Sequence, residues 1–108
     1  MECKESKIKD VSVLEIIGRL DATNSSTLEE QITESINNGN HQFVANLSQL
    51  DYISSAGLRV FLAIAKKLSN IGQIHLCCLQ TQVKEVFEMS GFTTIFKLYD
   101  TQDEAVNA

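Results

Sequence analysis

Apolar segments alternate along this chain with segments in which apolar residues recur at helical spacing. Four short segments are rich in β-branched residues or almost continuously apolar, which is typical of strands with one or both faces buried. These predicted strands are Val11–Ile17, Gln42–Leu47, Ile74–Leu79 and Thr94–Tyr99, with room for an extra strand at the N-terminus.

Three segments between the strands predict helices, and the C-terminal tail predicts a fourth, frayed one. The first begins at Ser26–Glu29, which fits a capping box that satisfies free backbone N–H groups, and ends at Asn37–Asn40. The others are Ala56–Ser69, a short helix with Val83, Val86 and Phe87 that stops near Ser90-Gly91, and a helix within Thr101–Ala108. The order β-α-β-α-β-α-β predicts an α/β fold with a largely parallel sheet and right-handed crossovers.

Length and charge narrow the possible functions. A chain of 108 residues fits a single domain over 1–108, and its net charge is −5. Nucleic-acid binding needs a basic face, but Lys66-Lys67 is the only adjacent basic pair. No apolar run approaches the roughly 20 residues of a membrane helix, and the charged N-terminus lacks the apolar region of a signal peptide. We therefore expect a cytoplasmic protein that binds neither nucleic acid nor membrane.

The residues that usually carry enzyme chemistry are not grouped in this sequence. No nucleophile–base–acid set, Walker-type phosphate loop or metal-binding motif is visible, so we expect neither an enzyme nor a cofactor. The neighbours Cys77 and Cys78 are expected to point to opposite faces of a strand, which argues against a shared metal or a disulfide. With Cys3 they indicate a reduced chain.

The segment Leu50–Arg59 carries the candidate chemistry, because it joins a buried strand to a helix. Asp51–Ser55 is predicted to be a short turn, with Ser54 or Ser55 at the helix N-cap. Serine is common there simply because its oxygen accepts a backbone N–H. Gly57 lowers helix propensity in the first turn and suggests that something approaches the backbone closely. A phosphate here would meet free N–H groups and the positive end of the helix dipole, and would repel an acidic partner.

Three separately spaced pieces of the sequence resemble one family. The run DYISSAGLRVF is similar to the signature of STAS domains, the fold of bacterial anti-sigma factor antagonists. Gly18–Asp21 resembles the turn after that family's early strand, and Val86–Phe92 its late helix-to-strand turn. The matches occur in family order over roughly residues 8 to 106. The resemblance implies a single STAS-type domain with a central mixed, mostly parallel sheet of four to five strands and about four helices.

The resemblance also implies a phosphorylation site. The family's acceptor lies two residues before the glycine of the signature, which is Ser55 here; we expect this serine to be an N-cap that accepts phosphate. Ser54 stands where the family often has Asp and is the alternative acceptor. Asp21 matches an acidic position near the acceptor, or is an exposed turn aspartate. The implied partner-binding residues are Asp21, Asn46, Ser54, Ser55, Ala56, Gly57, Leu58 and Arg59.

Two of these positions have alternative interpretations. Asn46, at the end of the central strand, either shapes the phosphorylation loop through backbone hydrogen bonds or simply caps a turn. Arg59 lies four residues after Ser55, on a neighbouring helical position, and is either a phosphate partner or a solvated side chain. The solvated interpretation is the commoner one for an arginine on a helix.

The implied function is a protein-binding switch. Unphosphorylated, the chain would dock on an anti-sigma factor that is also a serine kinase of the GHKL type, and phosphorylation at Ser55 would release it. A serine phosphatase would reset the switch. One alternative is a STAS subunit or scaffold of a transport or stress-signalling complex without phosphorylation. Another is guanine-nucleotide binding, which no phosphate-loop motif in this sequence supports.

Overall fold

A single mixed sheet of six strands forms the centre of the computed structural model, which describes residues 1–108. The strands are β1 (Glu2–Ile8), β2 (Val11–Leu20), β3 (Gln42–Asn46), β4 (Leu50–Ile53), β5 (Gln73–Cys77) and β6 (Leu98–Tyr99). Their order is β1-β2-β3-β5-β6, and β4 also pairs with β2. Only β1 runs antiparallel to its neighbour, so the predicted mostly parallel α/β sheet and the extra N-terminal strand are confirmed.

Four helices cover this sheet unequally. They are α1 (Ser25–Asn37), α2 (Ser55–Leu68), α3 (Thr81–Met89) and α4 (Gln102–Val106). Alternate residues of each strand face opposite ways: Leu14 joins the main core beneath α1, α2 and α3, whereas its neighbour Val13 packs against α4. The main core holds 21 buried residues and the α4 side only 5, so α1 to α3 supply most of the apolar burial.

The segment predicted as a turn at Asp51–Ser55 is instead mostly strand. β2 extends beyond β3, and Leu50–Ile53 pairs in parallel with Gly18–Leu20 after an irregularity in register between Gly18 and Arg19. The sequence lacks the two-residue alternation of a strand here, because Leu50 and Ile53 are three residues apart and both point into the core. The turn prediction was therefore wrong, and the candidate site begins directly from a strand.

The start of α1 also differs from its prediction. The helix begins at Ser25, with Asn24 at the N-cap, and the expected capping box at Ser26–Glu29 does not form. The Ser25 hydroxyl instead donates a hydrogen bond to the backbone carbonyl of Asp21. A capping box does form at the C-terminal helix, where Thr101 and Glu104 bond reciprocally, so α4 is better defined than a frayed tail.

The last predicted strand, Thr94–Tyr99, is shorter than expected. Phe92–Thr94 forms a 3₁₀ turn and only Leu98–Tyr99 pairs with β5. Phe96 is buried, with its ring centroid 6.3 Å from that of Phe87 and 6.4 Å from that of Phe61. These aromatic contacts hold Phe96 within the core, so the segment before Leu98 does not follow the sheet edge.

The two neighbouring cysteines do not face opposite ways as predicted. Cys78 lies just beyond β5 and has a φ of +62°, which turns its side chain towards the same small cluster that contains Cys77. Burial, and a hydrogen bond with the Cys78 thiol, raise the pKa of Cys77 to about 12. All three cysteines are free, and Cys77 is buried in the core. None of the helices is long and apolar enough to cross a membrane.

Candidate functional site

The ends of β2 and β4 and the start of α2 meet at one edge of the sheet. The backbone N–H of Ser54 donates to the carbonyl oxygen of Leu20 at 2.9 Å, which ties the end of β4 to the end of β2. Asp21 follows Leu20 directly, and Ser55 follows Ser54. The structure therefore brings Asp21 and the Ser54-Ser55 pair to the same edge of the sheet.

The two serines differ in what their hydroxyl groups do. Ser54 is the N-cap of α2, and its Oγ accepts a hydrogen bond from the backbone N–H of Gly57 at 3.2 Å. Ser55 is the first helical residue; it is exposed, and its hydroxyl makes no hydrogen bond within the chain. The expectation that Ser55 is the capping residue was wrong, because the neighbouring serine already fills that position.

The start of α2 offers free backbone donors beside the Ser55 hydroxyl. The N–H groups of Ser55 and Ala56 have no hydrogen-bond partner within the chain, and no acidic residue lies in the first turn. The N-terminus of a helix carries a partial positive charge, since its unpaired N–H groups point outwards. An anionic group attached at Ser55 would therefore be stabilised electrostatically.

Gly57 is required by close packing inside the protein. A Cβ added at this position would lie 2.8 Å from Cγ1 of Ile53 and 2.9 Å from Cγ of Leu20. The sequence correctly indicated a close approach to the backbone here, but the approaching groups belong to the core. Gly57 and Leu58 are buried, so they pack beneath the surface. Ser55 and Arg59 are exposed on that surface.

Asp21 holds the turn that leads into α1. Its Oδ1 accepts hydrogen bonds from the Thr23 hydroxyl at 2.6 Å and from the Thr23 backbone N–H at 3.0 Å. These bonds favour the ionised carboxylate and lower the pKa of Asp21 below its ordinary value, with a smaller contribution from the charge of Arg19. Asp21 is thus a turn aspartate that also lies beside the segment with the two serines.

Asn46 shapes the loop that leads into β4. Its Oδ1 accepts from the backbone N–H of Ser48 at 3.0 Å, and its Nδ2 donates to Oε1 of Gln102 at 2.9 Å. The bond to Ser48 fits both interpretations of Asn46, as a residue that shapes the loop and as a simple turn cap, and the bond to Gln102 ties α4 to the same turn. No hydrogen bond joins Asn46 to either serine, so any influence on the site passes through the loop.

Further side chains at this edge were not predicted as site residues. Gln80, which precedes α3, donates from Nε2 to Oδ1 of Asp51 at 3.0 Å and to the carbonyl oxygen of Ser48 at 2.9 Å. Gln82 donates to the Asp51 carbonyl oxygen at 3.3 Å. These bonds fix the loop before β4 to α3. Single glutamines carry no motif, so only the folded arrangement reveals this role.

Arg19 and Tyr52 form a stacked, exposed pair near the ends of β2 and β4, and Tyr52 precedes Ser55 by three residues. They are register partners in the β2–β4 pair, and the guanidinium carbon lies 4.2 Å from the centre of the tyrosine ring. Tyr52 is 40% exposed. Arg59 is also exposed and forms no ion pair. The pair was missed because β4 had been predicted as a turn.

Comparison with known proteins identifies the family to which this architecture belongs. The STAS domain family matches residues 5–105. The chain belongs to the STAS domain family. The protein BtrV of Bordetella bronchiseptica, whose name assigns it provisionally as an anti-sigma factor antagonist, is 38% identical over 109 residues, which cover 100% of this chain and 94% of BtrV.

Two further proteins that this chain resembles carry related names. RsfB of Mycobacterium tuberculosis, an anti-sigma-F factor antagonist, is 25% identical over 96 residues, covering 89% of this chain and 79% of RsfB. The unphosphorylated structure of the Bacillus anti-sigma factor antagonist SpoIIAA superposes with a TM-score of 0.84 at 21% identity, covering 98% of this chain and 94% of SpoIIAA. SpoIIAA also has a structure in its phosphorylated form. The STAS fold is therefore shown, and homologues of this chain are named as regulators that act on anti-sigma factors.

Proposed function

We propose that this STAS domain is an anti-sigma factor antagonist that works as a phosphorylation-controlled binding switch. Unphosphorylated, the surface around Ser55 docks on an anti-sigma factor that is also a serine kinase of the GHKL type, and the sigma factor is released. Phosphorylation of Ser55 breaks the complex, and a metal-dependent serine phosphatase restores it. The protein acts in the bacterial cytoplasm and supplies an acceptor and a surface, while the kinase supplies ATP and metal ion.

One observation carries the choice of acceptor. The Ser55 hydroxyl is exposed and unbonded, whereas the Ser54 hydroxyl accepts the N–H of Gly57 and caps α2. Phosphorylating Ser54 would remove a cap that contributes about 1 kcal/mol to a helix. Phosphorylating Ser55 breaks no hydrogen bond, so Ser55 is the favoured site and Ser54 the alternative.

The switch follows from charge. In the transfer step the Ser55 oxygen bonds to the γ-phosphorus, ADP leaves, and the hydroxyl proton passes to a base of the kinase. The product carries about −1.5 to −2 charges at neutral pH. The free N–H groups of Ser55 and Ala56 and the dipole of α2 stabilise this charge, so the domain stays folded. At the interface the same charge must lose water, and any partner carboxylate nearby repels it.

Peptide mapping tests the acceptor. If a GHKL-type kinase is encoded beside its own gene, the chain is incubated with that kinase and ATP, and the modified peptide is sequenced by mass spectrometry. We expect one phosphate on Ser55, none in Ser55→Ala, and unchanged labelling in Ser54→Ala. Phosphate elsewhere than Ser54 or Ser55, or no phosphate at all, would contradict the proposal.

Binding measurements test the switch itself. Without ATP, Ser55→Ala should bind the kinase about as tightly as the unmodified chain, because the hydroxyl makes no hydrogen bond within the chain that shapes the docking surface. Ser55→Asp should bind more weakly, because a carboxylate reproduces part of the phosphate charge. Equal affinity of the two variants would contradict the charge argument. A pull-down that returned transporter subunits instead of the kinase would favour the alternative of a STAS subunit or scaffold.

A further inference from the structure

We propose that Tyr52 and Arg19 together anchor the partner at the Ser55 surface. The inference rests on the proposed function, since the partner is the anti-sigma factor kinase that docks there. The partner is inferred to present a small apolar hollow for the Tyr52 ring, with a carboxylate at its rim that pairs with Arg19. Phosphate on Ser55 would then repel that carboxylate.

The geometry of β2 and β4 creates the pair. Gly18 has a φ of +99°, and the register of the two strands shifts between Gly18 and Arg19. After this shift Arg19 lies directly opposite Tyr52, and its guanidinium covers one face of the ring at 4.2 Å. Bulge-like irregularities of this kind re-aim a side chain at the end of a strand. Both residues belong to paired strands, so their backbone positions are fixed before any partner arrives.

Neither side chain forms an ion pair or a hydrogen bond through its guanidinium or hydroxyl group. Arg19 takes no part in the two ion pairs of the chain, and the Tyr52 hydroxyl makes no hydrogen bond. The nearby Asp21 carboxylate is already bonded to Thr23. The site thus presents an available guanidinium and an exposed aromatic ring, 40% accessible, three residues before Ser55.

These two residue types dominate the binding energy of protein interfaces. Tyrosine and arginine are enriched among the few residues that carry most of the affinity. Stacking restricts the guanidinium before binding, so less side-chain freedom is lost when the complex forms. An arginine fork pairs best with a planar carboxylate, and this fixes the chemistry expected of the partner. The proximity of Ser55 then explains why a phosphate there would oppose the same carboxylate.

The chain contains its own matched control. Tyr99 is the only other tyrosine, and Lys97 lies 5.7 Å from the centre of its ring, so it too forms a cation–aromatic pair. That pair belongs to the β6 edge, where Tyr99 also packs edge-on against His75 at 5.3 Å. Losing it should leave the surface at Ser55 unchanged.

The test measures affinity for the neighbouring-gene kinase without ATP. We expect Tyr52→Ala to weaken binding about 30-fold or more, as at other interface hot spots. Arg19→Gln should weaken binding about tenfold and reduce its dependence on salt, because an ion pair is lost. The controls Tyr99→Ala and Lys97→Gln should stay within about threefold of the unmodified chain. Thermal melts check folding, and Tyr52→Thr, which keeps strand propensity, replaces Tyr52→Ala if the latter melts early.

The outcomes separate this inference from the proposed function. If the kinase binds the unmodified chain and phosphorylates Ser55, yet Tyr52→Ala and Arg19→Gln bind as tightly as the controls, the anchor is refuted and the switch stands. Equal weakening by the Tyr99 and Lys97 controls would also refute it. If the kinase neither binds nor phosphorylates the unmodified chain, the proposed function fails and the anchor fails with it.

Discussion

Gly57→Ala is expected to destabilise the protein, although alanine is the better helix former. The gain in helix propensity is at most about 1 kcal/mol. The added methyl would lie 2.8 Å from Cγ1 of Ile53 and 2.9 Å from Cγ of Leu20, both in the core. These atoms are close to the backbone and cannot swing away, and overpacking of this kind costs about 1–3 kcal/mol. The net loss should be about 1 kcal/mol.

Urea denaturation measures this loss, and a thermal melt should show a fall in Tm of about 4 °C. Ala63→Gly, at a half-exposed position of the same helix, gives the propensity difference without the clash. In an Ile53→Ala background the clash with Cγ1 disappears while the one with Cγ of Leu20 remains, so Gly57→Ala should cost less there than in the unmodified chain. The packing argument would be refuted if Gly57→Ala were as stable as the unmodified chain. It would also be refuted if the losses in free energy of unfolding caused by Gly57→Ala and Ile53→Ala simply added in the double variant.

Three further outcomes follow from the hydrogen bonds and pKa shifts. Ser54→Ala should lower the free energy of unfolding by about 1 kcal/mol through loss of the N-cap, whereas Ser55→Ala should change it by less than about 0.5 kcal/mol; equal effects in urea denaturation would contradict the assignment. The lowered pKa of Asp21 means that its carboxylate stabilises the fold above its ordinary value of 3.8, and that this contribution is lost as the pH falls through the lowered pKa. Asp21→Asn should therefore show a smaller fall in Tm than the unmodified chain between about pH 5 and pH 2, and an equal fall would count against this assignment. Burial, and to a lesser degree Lys97, lower the pKa of His75 below 6.5, so stability should decline as the pH drops below that value. His75→Phe should remove most of this decline in stability in melts between about pH 7.5 and pH 5.5. An unchanged decline would mean that another group causes it.

The element order could be predicted from the sequence because most strands and helices have clear apolar periods. β3 has an apolar centre, and α2 has a regular apolar stripe with Lys66 and Lys67 in its last turn. The resemblance to STAS domains predicts the candidate site at the start of α2. These signals are local, so they can be read without knowing which segments pack together.

The rest depends on contacts between distant segments. β4 exists because the end of β2 offers free backbone groups to Leu50–Ile53, which no local pattern records. Phe96 leaves the expected last strand because it packs against Phe61 and Phe87. The choice between the two serines also required the structure, because either fits an N-cap and only the bond to Gly57 distinguishes them.

The division of labour between Ser54 and Ser55 has an evolutionary consequence. The Ser54 hydroxyl caps the helix, whereas the Ser55 hydroxyl makes no hydrogen bond within the chain. Selection for folding therefore acts on Ser54 and does not constrain Ser55. A lineage can then lose the residue at 55, exchange it for threonine, or regain it, at almost no cost in stability. The proposed phosphorylation by the kinase can in this way be gained or lost in the same fold through single substitutions.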